Sequence, residues 1–292
     1  MTQVRFKQVD VFTAERFKGN PVAVVLEADG LTDEHMQQIA NWTNLSETTF
    51  VIATTSAEAD YRVRIFTPRS ELPFAGHPTI GTAHALMEAG IIVPTEGALV
   101  QECGAGLVKL EVSVDEANQQ RIAFELPEAK FTPLNDSEVD ELEAILGTAI
   151  VRDRRPALVD VGARWILAQL PDAQAVLVNG PEFERMCVQN IQAKATGVVI
   201  FGKHIDNGLP GVEVRAYAPA CGVNEDPVCG SGNGAMAAFI RHTKQTDYFG
   251  RSLLASQGVK VGRAGFIHLT IGDDVITVGG QAVTCIDGSI SI

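Results

Sequence analysis

Two glycine-rich stretches, a domain's length apart, restrict this chain more than any other feature. Phe74-Ala75-Gly76-His77-Pro78-Thr79-Ile80-Gly81 and Glu225-Asp226-Pro227-Val228-Cys229-Gly230-Ser231-Gly232-Asn233-Gly234 each follow a β-like run ending in proline, and each opens an apolar helical segment. The runs before them also match: Val63-Arg64-Ile65-Phe66-Thr67-Pro68 aligns with Val214-Arg215-Ala216-Tyr217-Ala218-Pro219 at an offset of 214 − 63 = 151. Past the intervening loop the offset becomes 229 − 76 = 153, which pairs Gly76 with Cys229 and Gly81 with Gly234. A repeat of this length, in which residue identities and element order agree, predicts two similar α/β domains with a small-molecule cleft between them.

A glycine-rich loop entering a helix exposes backbone N–H groups, and the aligned peptide dipoles add partial positive charge there. Anions are held at such a place without lysine or arginine. Two helix mouths facing each other would clamp a small carboxylate. The balance of charge points the same way, because a formal net charge of −13 argues against nucleic acid, whose phosphates are bound mainly by lysine and arginine.

At 292 residues, 46% hydrophobic and 20% charged, the chain has room for two cores and the profile of a globular protein. Its five cysteines, Cys103, Cys187, Cys221, Cys229 and Cys285, show no CxxC spacing, which fits a reducing compartment better than a disulfide framework or a zinc ribbon. No signal-peptide core begins the chain, and no apolar run approaches the roughly 18 residues of a membrane span. The expectation is a cytoplasmic protein with neither a membrane nor a nucleic-acid partner.

Strands are expected at Arg5 to Phe12, Asn20 to Leu26, Glu47 to Ile52 and Tyr61 to Pro68, then at Leu107 to Val114 and Arg121 to Leu126. Thr32, followed by Asp33 and Glu34, reads as the N-cap of a helix ending near Asn44. A second helix starts at His77-Pro78 and stops at Gly90. The pattern pauses over Pro127 to Pro133, which places domains at 1–127 and 128–279, with a C-terminal strand at about 280–292 a candidate to complete the first. In the second half a helix from Ser137 to Gly147 precedes strands at Arg164 to Leu170 and Ala175 to Val178 and a helix from Pro181 to about Lys194. Strands at Gly197 to Phe201 and Val212 to Tyr217 lead to the second mouth and a helix to about His242.

The chemistry lies where the copies differ. At the 151 offset Glu47 faces Val198, so one half alone supplies an acid at that place. Taken alone, Glu47 has the position of an ordinary surface glutamate, but it stands in an apolar-rich stretch, and partial burial would raise its pKa toward that of a general acid–base group. His77 is the only histidine at a mouth; a helix start lowers a histidine pKa and keeps the ring neutral, though it could equally cap its own helix. Asp226 precedes Pro227 and could shape the turn or orient substrate. Cys229 has no peptidase or acyl-transfer sequence around it. It also lacks the ligand spacing of a zinc site with Cys221, His77 and Asp226. A two-thiol racemase would need a second cysteine where the repeat places Gly76.

Ser46-Glu47-Thr48-Thr49-Phe50, Phe74 to Thr79 and Glu225 to Gly232, with Asn20-Pro21 and Gln257 to Arg263, resemble in order the motifs of the PhzF-like isomerases of the phenazine-biosynthesis family. The resemblance implies the diaminopimelate-epimerase-like fold: two pseudo-symmetric α/β domains, each a β-barrel-like sheet around a central helix, with the active site in the interdomain cleft. It implies a cofactor-free, metal-free isomerase in which Glu47 shuttles hydrogen between carbons of a small carboxylate. His77, Asp226 and Ser231 would line the pocket, with Gly76, Gly230 and Ser231 amides holding the anion, and the protein would form a homodimer. Cys229 departs from the pattern, since the phenazine enzymes typically have threonine there and the two-cysteine epimerases a catalytic thiol. Two other readings stand beside this one: a racemase or epimerase of amino or hydroxy acids using Cys229, and a non-catalytic metabolite-binding protein.

Overall fold

A computed structural model describes residues 3–114, 119–205 and 210–292. The chain divides into two compact units, Met1–Glu125 with Gly279–Ile292, and Leu126–Val278. In the first unit the elements run β1 (Gln3–Val11), β2 (Asn20–Val25), α1 (Asp33–Thr43), β3 (Glu47–Ile52), β4 (Tyr61–Phe66), β5 (Glu71–Leu72), α2 (Gly76–Glu88), β6 (Ala98–Cys103), β7 (Gly106–Val114) and β8 (Gln120–Glu125). The C-terminal strand Ala282–Ser291 pairs antiparallel with β1.

The second unit runs β9 (Lys130–Pro133), α3 (Asp136–Leu146), β10 (Ala157–Asp160), β11 (Arg164–Gln169), α4 (Ala173–Val178), α5 (Phe183–Ala193), β12 (Gly197–Lys203), β13 (Val212–Ala218), β14 (Val223–Asp226), α6 (Gly230–His242), α7 (Thr246–Phe249), β15 (Ser252–Gln257) and β16 (Gly265–Ile271). Ala175 to Val178, expected as a strand, belongs to the helix α4: Asp172 caps it by accepting from the Ala175 amide at 2.8 Å. A four-residue apolar run does not distinguish a short buried helix from a strand, and the cap decided it. Within the Pro127 to Pro133 pause, β9 pairs antiparallel with β10.

The repeat is exact at the level of strand pairing. In the first unit β1–β2 is antiparallel, β2–β3 parallel, β3–β4 and β4–β5 antiparallel, β4–β6 parallel and β6–β7 antiparallel. The second unit gives the same sequence of senses through β10–β11, β11–β12, β12–β13, β13–β14, β13–β15 and β15–β16. One side-chain fork is repeated as well. Arg64 on β4 donates through Nε and Nη2 to both oxygens of Glu71 on β5, and Arg215 on β13 does the same to Glu225 on β14.

Each unit has one helix that is apolar nearly all round and is therefore enclosed by its own sheet. α2 lies against β1, β2, β3, β8 and the C-terminal strand; α6 lies against β10, β11, β12 and β16. Close approach at α2 depends on Gly81, where a Cβ would come within 2.4 Å of Val22 Cγ1 and 3.0 Å of Val11 Cγ2. Amphipathic helices cover the opposite faces. Met36 and Ala40 of α1 join a core with Val25, Phe50 and Phe66. Leu142, Ile145 and Met186 of α3 and α5 join one with Val198, Ile200 and Tyr217. Among the described residues no helix is long and apolar enough to cross a membrane.

Candidate active site

The first unit brings Glu47 and His77 together. Glu47 opens β3, directly after the turn that Asn44 makes in the left-handed region at φ 54° to end α1. Behind it, the Ser46 hydroxyl donates to Asn20 Oδ1 at 3.4 Å, which ties the Asn-Pro entry of β2 to the residue before the acid. Thr82 of α2 donates to Thr49 of β3 at 2.9 Å, and Thr49 donates to the Ala23 carbonyl, so the helix and the strand are held in fixed register. Both threonines are buried. Within this frame His77 Nε2 lies 3.2 Å from Glu47 Oε2.

Little of the pair meets water, its side chains being 9% exposed at His77 and 16% at Glu47. His77 is buried, and Glu47 Oε2 accepts no hydrogen bond from a described residue. The 3.2 Å approach therefore has the range of an ionic contact without the alignment of a hydrogen bond. Burial pushes the Glu47 carboxyl up to about 7, against a smaller opposing effect of a hydrogen bond with Ser46. A carboxyl in that range is populated in both protonation states at neutral pH, which is what a group that both takes and returns a proton requires.

α2 begins immediately beside the pair. Its N-cap, Ala75, is extended at φ −152° and offers no side-chain cap, and no acidic residue occupies the first turn. The Thr79 amide already turns back to the Ala75 carbonyl and Pro78 has no amide hydrogen, so Gly76 and His77 head the helix at its positive end.

The second mouth is built differently. Cys229 is the N-cap of α6: its buried sulfur accepts from the Gly232 amide at 3.3 Å, while its own amide donates to Gln257 Oε1 at 3.1 Å. Gln257 Oε1 also accepts from Asn233 Nδ2, and its Nε2 donates to the Asp226 carbonyl. Asp226 Oδ1 accepts from the Val228 amide at 3.0 Å and shapes the turn into the helix. Gly230 and Ser231 then head α6, and the Ser231 hydroxyl accepts from Trp165 Nε1 at 3.0 Å. Sequence reasoning missed Gln257 as a brace of this mouth and Trp165 altogether. A buried glutamine carries no pattern in one sequence, and Trp165 reads as an ordinary strand aromatic.

Two pairings drawn from sequence offsets shift by one residue. Thr48 faces Phe66 across β3–β4, and Val198 faces Tyr217 across β12–β13, so the counterpart of Glu47 is Gly197, not Val198. The helices start at Gly76 and Gly230 and their N-caps are Ala75 and Cys229. Gly76 thus corresponds to Gly230 and His77 to Ser231, and the residue opposite the thiol is Ala75. No second cysteine stands there under either alignment.

A shallow groove of about 630 Å³ on the first unit is lined by residues including Asp33, Gln37, Arg64, Phe66 and Glu71. Neither Glu47 nor His77 lines it. Arg64 there bridges Asp33 and Glu71.

Comparison with known proteins supplies the family. A family model described as phenazine biosynthesis-like protein matches residues 9–288. The chain is 42% identical to antisense-enhancing sequence 1 of Schizosaccharomyces pombe, over 99% of both chains. It is 33% identical to the trans-2,3-dihydro-3-hydroxyanthranilate isomerase of Pseudomonas aeruginosa, over 89% of this chain and 87% of that one. Its fold matches the crystal structure of a Bacillus anthracis phenazine biosynthesis protein of the PhzF family with a TM-score of 0.86 at 24% identity, covering 100% of each chain. The paired α/β units are those of the diaminopimelate-epimerase-like fold, and the chain belongs to the phenazine biosynthesis-like, or PhzF-like, protein family and is an isomerase.

Proposed function

We propose that the reaction is a cofactor-independent hydrogen shift between carbons of a small, unsaturated carboxylic acid, with Glu47 as the general acid–base. The observation that carries this reading is the buried Glu47 carboxyl, pushed up to about 7, with an oxygen facing His77 Nε2 at 3.2 Å. Glu47 in its ionised form removes a hydrogen from carbon as a proton, the electron pair shifts through the conjugated acid, and the protonated Glu47 returns the hydrogen to another carbon. The His77 imidazole, with Nε2 at 3.2 Å, is assigned to holding the carboxyl in place between the two transfers.

General acid–base catalysis typically contributes about 10²–10⁴-fold. One carboxyl is thus matched to a C–H already acidified by unsaturation and not to an ordinary amino-acid α-carbon. Donors fixed at a helix head stabilise the negative charge that develops on the substrate carboxylate, each charge-assisted bond being worth roughly 1.5–3 kcal/mol. Gly76, Gly230 and Ser231 are assigned that part, and Asp226 the shaping of the loop before α6. The sulfur of Cys229 is engaged as a helix cap and buried, which favours the glutamate over a thiol racemase.

The activity named for the Pseudomonas relative sets the first substrate to try. Trans-2,3-dihydro-3-hydroxyanthranilate in D₂O, followed by NMR, is expected to isomerise with the wild-type chain and to slow at least about 10²-fold with Glu47→Gln. Turnover that survives in Glu47→Gln rules out the glutamate as the proton carrier.

A further inference from the structure

The second unit is not an inert copy of the first. Parallel pairing of β2 with β3 sets Val22 beside Glu47; the same pairing of β11 with β12 sets Trp165 beside Gly197. At Gly197 a Cβ would fall 2.7 Å from Trp165 Cζ3 and 1.9 Å from the Tyr217 carbonyl oxygen. The indole therefore lies over the backbone where the first unit carries its acid, and no side chain fits beneath it. Trp165 is itself buried, and a buried indole N–H needs an acceptor. It finds one in Ser231 Oγ at 3.0 Å, on the residue that corresponds to His77.

We infer that Trp165 is a positioning residue: its indole takes the place of the missing acid and, by donating to Ser231 Oγ, fixes the Ser231 hydroxyl as a hydrogen-bond donor to a carboxylate at the head of α6. The inference rests on the assignment of Ser231 to substrate binding made above. A hydroxyl has one hydrogen and two lone pairs. With a lone pair occupied by the indole N–H, the remaining hydrogen turns away from Trp165 toward the helix head. Cys229 Sγ, 3.6 Å away, is a weak acceptor and already takes the Gly232 amide, so a carboxylate oxygen displaces it as partner. The second mouth thereby presents Gly230 and Ser231 amides and one oriented hydroxyl, all uncharged donors. Such a mouth grips an anion without exchanging protons with it.

The test is a cycle of Trp165→Phe, Ser231→Ala and the double variant, with anthranilate as a non-isomerising probe in calorimetry. Trp165→Phe keeps an aromatic ring at this position and deletes the N–H together with part of the indole's bulk over Gly197. Each single change is expected to weaken anthranilate about tenfold, the equivalent of one hydrogen bond, and the double variant to bind no more weakly than Ser231→Ala. With trans-2,3-dihydro-3-hydroxyanthranilate, KM rises in Trp165→Phe while the pH dependence of kcat stays where Glu47 places it. Wild-type affinity in Trp165→Phe, or losses that multiply in the double variant, overturns the inference. An unfolded fraction is recognised by thermal melts, affinities are compared per folded molecule, and wild-type anthranilate binding in Ser231→Ala also overturns the inference. Full turnover in Glu47→Gln would overturn the proton-carrier assignment while leaving this binding cycle standing.

Discussion

Replacing Glu47 with glutamine removes a charge that the fold holds at a cost, so the variant should become more stable as it becomes less active. The magnitude follows from the carboxyl. In the unfolded chain it titrates near 4.5, and in the folded protein near 7. Below the first value it is protonated in both states and the fold bears no penalty. Between the two values the unfolded chain has released the proton while the folded one retains it, so stability falls as pH rises through this window. Above about 7 the penalty is complete: a gap from 4.5 to about 7, at about 1.4 kcal/mol per pH unit, gives about 3 kcal/mol. Glutamine is neutral throughout and nearly the same shape. Thermal unfolding followed by circular dichroism should therefore give nearly equal Tm for the two proteins at pH 4.5. At pH 8 the variant should lead by about 6–12 °C, taking about 2–4 °C per kcal/mol for a unit of this size. A Tm difference that does not change between pH 4.5 and 8 would refute the claim that burial sets the Glu47 pKa.

The two arginine forks should separate by burial. Arg215→Ala strands the buried Glu225 and should cost about 3–5 kcal/mol, whereas Arg64→Ala in the more open fork should cost at most about 1 kcal/mol, both read by urea denaturation. Gly81→Ala drives a methyl into Val22 and Val11 and should lose about 1–3 kcal/mol in the same assay. Cys229→Ser keeps an acceptor at the α6 N-cap, where serine is favoured, so stability should change by no more than about 1 kcal/mol and turnover should persist; a loss of turnover would move the chemistry to the thiol.

What could be read from the sequence was whatever leaves a periodic or repeated trace. The repeat was visible because Val-Arg-x-aromatic-x-Pro recurs, and the structure shows why those residues recur: the arginine forks to a carboxylate on the next strand in both units. Helix α1 was legible from its Thr32 cap, which accepts from the His35 amide at 3.2 Å, and its stop from Asn44, a residue that tolerates the left-handed region. The short helix α4 was not, because four apolar residues have no period and the deciding cap is Asp172, one residue outside it. The one-residue error at Glu47 has a similar origin. An offset fixed on β4 and β13 was carried back to the strands before them, although β12 is one residue longer than β3, and only the pairings Thr48–Phe66 and Val198–Tyr217 restore the register.

That corrected register changes the meaning of the asymmetry between the halves. Against Val198 the acid would have an aliphatic counterpart, a position that a single substitution could make acidic again. Against Gly197 it has a position closed by the Tyr217 carbonyl and the Trp165 indole, where even alanine must displace backbone. Gly197→Ala should accordingly be among the most damaging single changes in the second unit, costing at least about 3 kcal/mol by forced overpacking against an immovable carbonyl, and a urea midpoint close to that of the wild type would contradict the argument. The first unit gives this place to a titrating carboxyl beside His77 and the second gives it to an indole that cannot titrate. If the proposed reaction holds, proton transfer and anion holding are divided between two copies of one fold, and packing at Gly197 enforces that division as much as the identity of the acid.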